Sequence, residues 1–178
     1  MEACKPLTLE DFDRLEESFR FETILDATPE RVFEVFEDAE SWPVWAGAIK
    51  KVTWTSPKPF VVGTTRDVDI TGGLIAHERF FVWDPPHRMA FYFVGTNKPA
   101  VNSLAEYYEL QPLDDGRTRF IWRVAFESRS FMRYVSPLLR PAVRVFMGRI
   151  VKGLERYVCE LPVNEAAAKP SPETRAYG

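Results

Sequence analysis

With 178 residues, 46% apolar and 28% charged, the chain has the balance of a soluble globular domain large enough to bury a substantial core. No stretch reaches the roughly 20 apolar residues that span a bilayer, and "MEACKPLTLEDFDRLEE" lacks the basic-then-apolar order of a secretory signal, so a cytoplasmic protein is expected. The net charge of −3, with no recognition motif beside the bases, argues against nucleic acid as a partner.

Thr8 opens "TLED" with an acid three residues on, which predicts an N-cap and a short helix over 9–17. "SFRFETILDA" (18–27) alternates, with Phe19, Phe21, Thr23 and Leu25 on one face, and reads as a half-buried strand. Thr28-Pro29 then launches a helix whose stripe is Val32, Phe33, Phe36 and Ala39. Trp42-Pro43 interrupts it, and a second short helix is expected over about 43–48.

From Ile49 the pattern turns to strands: 50–57, 63–71, 74–83, the run "RMAFYFVG" after Asp84-Pro85-Pro86, 103–113, and 117–128 after the turn Asp114-Asp115-Gly116. Gly72-Gly73 is a hairpin signal. Turn chemistry between evenly spaced strands predicts one antiparallel meander. The period then changes. Met132, Val135, Leu139, Val143, Phe146, Ile150, Leu154, Tyr157 and Leu161 recur at steps of three and four, one stripe along a terminal helix expected to run cleanly from about residue 141, after Pro137 and Pro141. Residues 1–17 are an N-terminal segment, 18–161 a single domain, and 162–178 a polar, proline-bearing tail expected to be disordered.

The order of elements predicts an α+β fold in which a strongly curved antiparallel sheet with two short helices wraps a long C-terminal α-helix and encloses a hydrophobic cavity. "ATPERVFEVFEDAESWPVWAGAIKKV", "VWDPPHRMAF", "YYELQPLDDGRTRFIW" and the closing helix, in this order, resemble the helix-grip (SRPBCC) superfamily of START lipid-binding domains, pathogenesis-related allergens and bacterial polyketide cyclase/dehydrase-like proteins, nearest the last group. The resemblance implies binding of a small hydrophobic molecule (a lipid, sterol, isoprenoid or aromatic polyketide-like compound) as carrier or sequestering protein. Its alternative implication is a cyclase, aromatase or dehydratase using one or two acid–base side chains. Function has to be argued from the site, because the fold hosts several.

No convergent His, Cys or carboxylate set of metal-binding spacing is present, and no Gly-rich phosphate loop, so neither metal nor cofactor is expected. Cys4 and Cys159 read as two free thiols. Alternation places Phe120, Trp122, Val124 and Phe126 on one face, Leu104, Glu106, Tyr108 and Leu110 on one face of the preceding strand, Glu78 with Phe80 and Val82, and Val68 with Ile70. Glu106 and Glu78 are then either inward, paired by Arg66 or Arg79 or carrying raised pKa values, or turned to solvent by a bulge. Glu106, Glu78, Tyr108 and Arg66 are the candidate chemical groups. The expected ligand wall is Trp42, Trp45, Val68, Ile70, Phe80, Tyr108, Trp122, Val124 and Phe126 with Leu139, Val143, Phe146, Met147 and Ile150 of the helix. Trp42 and Trp45 are either a lid on that cavity or filling in its place.

Charge is uneven: residues 1–40 carry 13 acids against four bases, and 129–156 carry seven bases against Glu155 alone. Arg129, Arg133, Arg140 and Arg144 fall near one helical line. They either pair with the acidic N-terminal segment or meet an anionic membrane. A monomer and a homodimer are both compatible with the sequence.

Overall fold

The computed structural model describes residues 1–14, 18–99, 101–128 and 132–161, with backbone alone over 132–137. The elements are β1 (Glu2–Ala3), α1 (Asp11–Arg14), β2 (Ser18–Leu25), α2 (Pro29–Glu37), α3 (Trp42–Trp45), β3 (Ile49–Trp54), β4 (Thr65–Ile70), β5 (Leu74–Asp84), β6 (Arg88–Thr96), β7 (Val101–Pro112), β8 (Thr118–Ser128) and α4 (Met132–Glu160). The expected tail, 162–178, lies outside the described residues, as does the end of the N-terminal segment at 15–17.

The strands form one open, strongly curved antiparallel sheet in the order β2-β8-β7-β6-β5-β4-β3, with β1 pairing the far end of β6. From β3 to β8 it is a meander, as the turn signals predict. Thr71, Gly72 and Gly73 form the loop between the paired Ile70 and Leu74, and Gly72 and Gly73 have φ of 80° and 71°, left-handed backbone that glycine adopts without a Cβ penalty. β1 was not foreseen; two residues give no readable alternation.

Phe33, Phe36, Trp42 and Trp45 of α2 and α3 pack with Tyr108, Phe120 and Phe91 on the concave face of the sheet. On the convex face, Phe12 of α1 covers Ala105 and Ala125. The N-terminal cap forms as expected: the Thr8 amide and hydroxyl both donate to Asp11 Oδ2, at 2.7 and 2.9 Å. Thr28, by contrast, makes no side-chain cap bond, and Pro29 alone starts α2.

α4 begins at Met132 rather than near residue 141, so Pro137 and Pro141 sit within it. Residues 138–142 are exposed. Further along, the helix is seated by Val151, Leu154 and Val158, all buried, and by Gly153, which lies against the Trp45 carbonyl. The Thr23 hydroxyl donates to Glu155, tying β2 to the same stretch of helix.

Candidate functional site

Three strands of the concave face, β4, β5 and β7, carry ionisable groups. Arg66 on β4 pairs across the hairpin with Glu78 on β5, Glu78 neighbours Phe93 on β6, and Phe91 on β6 pairs with Glu106 on β7. Alternation therefore holds, and neither glutamate is turned to solvent. The face fails only beyond Phe80. A register shift between Phe80 and Val82 takes Val82 off the inner set and brings Trp83 in, against Phe33, Trp54, Phe60 and Phe80.

Arg66 is 1% exposed and Glu78 4%. Arg66 Nε donates to Glu78 Oε2 at 2.6 Å. The guanidinium is caged by rings, 4.2 Å from the Trp42 centroid, 4.7 Å from Phe91, 5.2 Å from Phe80 and 5.4 Å from Trp54. Cation–π contacts of this kind strengthen when water is excluded. Among the described residues Arg66 Nη1 is enclosed without a hydrogen-bond partner. Burial pushes the Glu78 carboxyl up to about 7, against the opposing pull of Arg66 and with a further upward push from Glu106.

Glu106 keeps a minority of its surface exposed. Its Oε2 accepts from the Tyr108 hydroxyl at 2.6 Å and from Trp122 Nε1 at 2.9 Å. Burial raises its pKa although both bonds and Arg66 favour the anion. Tyr108 is held well above the ordinary phenol value by burial and by Glu106, so it stays a donor. The four candidate groups thus form one electrostatic line across β4, β5 and β7, with carboxyls that can gain or lose a proton nearer neutrality than a solvated glutamate.

Aromatic filling divides the concave space. At the α2–α3 end Phe36 contacts Trp42, Trp45, Tyr108 and Phe120, and Trp42 and Trp45 lie 4.6 Å apart. Both tryptophans are buried, and Trp42 Nε1 donates to the Phe36 carbonyl. They pack against these rings, and Trp42 also serves as one wall of the Arg66 cage. Val68, Phe80, Tyr108, Trp122 and Val124 are sealed as well. At the other end, Phe21, Leu104, Glu106 and Phe126 face inward yet are only half-buried, near the turns of α4 whose Arg140 and Arg144 lie over Phe19 and Phe21. Ile70, Val143, Met147 and Ile150 are half-buried too.

Leu139 and Phe146 do not join this space. They are 40% and 49% exposed, because they lie on the flank of α4 rather than on the line of Val151, Leu154 and Val158. The sequence reading also missed Phe91 and Trp54 as ring partners of Arg66. The alternation of Arg66 with Val68 and Ile70 was the available signal that a cation faced inward. Among the described residues no cluster of ligating side chains could hold a metal ion, and Cys159 is a free thiol.

The family described as "Polyketide cyclase / dehydrase and lipid transport" matches residues 16–160. The chain belongs to this family. Uncharacterized proteins of Mycobacterium tuberculosis and Mycobacterium bovis are 41% identical over 139 residues, 78% of this chain and 83% of theirs. Among solved structures, a START superfamily protein from Mycobacterium smegmatis superimposes with a TM-score of 0.67 at 15% identity, covering 82% of this chain and 99% of that one. The Zhui aromatase/cyclase from Streptomyces sp. R1128 gives 0.62 at 16% identity, covering 80% and 90%. At such identities the likeness shows the helix-grip fold, which the polyketide cyclase/dehydrase-like family shares with START-like proteins.

Proposed function

We propose that this protein binds a small hydrophobic molecule bearing a hydroxyl or carbonyl group, held between the concave sheet face and the N-terminal half of α4. One observation carries the reading. Phe21, Leu104, Glu106 and Phe126 point inward but are left only half-buried, while Phe36, Tyr108, Leu110 and Phe120 at the α2–α3 end are buried. An apolar pocket with few polar groups is the usual form of such a site. Tyr108 and Trp122 both bond Oε2 of Glu106, so Oε1 is the atom a ligand hydroxyl would meet. The bound molecule would displace water from half-buried aromatic surface at about 25 cal/mol per Å2.

Titration with a fluorescent fatty acid or a naphthalene-sulfonate dye tests it. Saturable binding, lost when Leu104→Trp fills the space, is the expected result. Absence of saturable binding overturns the reading.

The raised carboxyls favour a second reading, a cyclase or dehydratase acting on a polyketide-like chain. Glu106 would take a proton from a carbon or hydroxyl of the folded substrate and return it, with Tyr108 donating to the developing oxyanion and Arg66–Glu78 setting the field behind it. Glu106→Gln separates the two: it abolishes turnover of such a substrate but leaves dye binding in place.

A further inference from the structure

The face of α4 directed away from the sheet is not that of an ordinary solvated helix. At about 100° per residue, Leu138, Val145, Arg149, Lys152 and Arg156 fall within roughly 40° of one line, opposite the buried Val151, Leu154 and Val158. Leu138 is 81% exposed and Val145 58%. On the adjoining flank are the exposed Leu139 and Phe146, and across a groove of about 490 Å3 from Phe146 stands Val44 of α3, itself 69% exposed. Isolated exposed apolar side chains are common on monomers; a strip drawn from two helices is not.

Cations edge the strip. Arg149 and Arg156 line the groove and Lys152 lies between them on the same line, all three exposed. Over 138–160 five bases (Arg140, Arg144, Arg149, Lys152, Arg156) face two acids, Glu155 and Glu160, and Glu155 is already bonded to Thr23. The helix is therefore locally positive on a chain that is negative overall. Arg140 and Arg144 lie on another side of it, over Phe19 and Phe21, with Arg140 also donating to the Ser18 carbonyl.

We propose that this α3–α4 face docks on an anionic membrane surface, with Val44, Leu138, Val145 and Phe146 at the headgroup boundary and Arg149, Lys152 and Arg156 against lipid phosphates. Leu138 to Arg156 spans about 27 Å of helix at 1.5 Å per residue, which suits a plane better than one small molecule in a groove. Apolar side chains flanked by long basic stems, which lie along greasy surface while their heads stay wet, are the pattern of an interfacial helix. The assignment goes beyond the ligand reading and stands whether or not the concave space is occupied.

Cosedimentation of the full chain with vesicles tests it, using phosphatidylcholine alone and phosphatidylcholine mixed with phosphatidylglycerol. Binding to the mixed vesicles, weakening with added salt and near absent on phosphatidylcholine, is expected. At roughly fivefold per base, the triple variant Arg149→Glu, Lys152→Glu, Arg156→Glu should lose a hundredfold or more in affinity. Val145→Asp, at a position 58% exposed, should also weaken binding. Dye binding in the concave space should be unchanged in both, so the two proposals fail separately. Lack of binding to the mixed vesicles, or variants that bind like the parent, overturns the proposal. So does a concentration-dependent dimer that Val145→Asp dissolves in a chain that ignores vesicles.

Discussion

Arg66 donates to Glu78 at 2.6 Å while its guanidinium lies 4.2 Å from the ring centroid of Trp42, so one buried cation is shared between a carboxylate and an aromatic wall. Neither partner alone offsets what the cation loses in leaving water. The pair also connects the two halves of the fold: Arg66 and Glu78 belong to one hairpin, and Trp42 arrives from the short helix that α4 presses down. Arg66→Met would leave Glu78 buried without its cation. Losing Arg66 also removes the pull that holds the Glu78 carboxyl down, so the cost should grow as pH rises. It should approach about 3–5 kcal/mol where the carboxyl must stay charged without a partner or take a proton from a basic solution. Near pH 5 the carboxyl can take a proton instead, and the cost should be much smaller. Urea unfolding near pH 5 and above pH 8 reads the difference.

Glu78 itself gives the fold a pH dependence whose sign is fixed by its raised pKa. Folding lifts it from 4.5 to about 7, so between those values the native state holds a proton that the unfolded chain has released. This contribution to stability is complete below 4.5, declines as pH rises, and is gone above about 7. Glu78→Gln, which cannot ionise, should flatten the urea midpoint across that window. Glu106 is shifted in the same direction and remains in the variant, so a residual slope of the same sign should persist.

For Glu106 the informative comparison is between two substitutions. Gln keeps a carbonyl oxygen for the Tyr108 hydroxyl and Trp122 Nε1, whereas Ala leaves both donors, on side chains that are themselves buried, without a protein acceptor. An unsatisfied buried donor costs about 1–3 kcal/mol. Glu106→Ala should therefore lower stability by a few kcal/mol and Glu106→Gln by much less, measured by thermal unfolding with tryptophan emission as the signal.

Much of this arrangement was legible before any coordinates. The Gly72-Gly73 signal located the hairpin but not its register: a two-residue turn would set Arg66 opposite Arg79, whereas the three-residue loop 71–73, with Ile70 opposite Leu74, sets it opposite Glu78. The alternation of Leu104, Glu106, Tyr108 and Leu110 offered an inward carboxyl as one of two readings. What alternation could not supply was a bulge, and the shift between Phe80 and Val82 is what turns Trp83 inward. Nor could it decide between a lid and filling for Trp42 and Trp45, because that depends on how closely α3 meets α4, and closeness between elements far apart in sequence leaves no local pattern. The early start of α4 was hidden because Pro137 and Pro141 ordinarily mark a helix start, and here both lie inside one.

That closeness of α3 and α4 rests on Gly153, and two glycines on one helix make a controlled test of it. A Cβ added at 153 would overlap the Trp45 carbonyl oxygen, a backbone atom that cannot swing aside, whereas one added at 148 would meet nothing within 4 Å. Alanine favours helix over glycine by up to about 1 kcal/mol at either position. Gly148→Ala should accordingly stabilise the protein by a fraction of that amount. Gly153→Ala should gain the same propensity yet lose about 1–3 kcal/mol through overpacking, for a net loss. Because α3 also carries Trp42, pushing it away should loosen the rings around Arg66. Thermal melts of the two variants should thus move in opposite directions, and only Gly153→Ala should change the near-ultraviolet dichroism of the tryptophans.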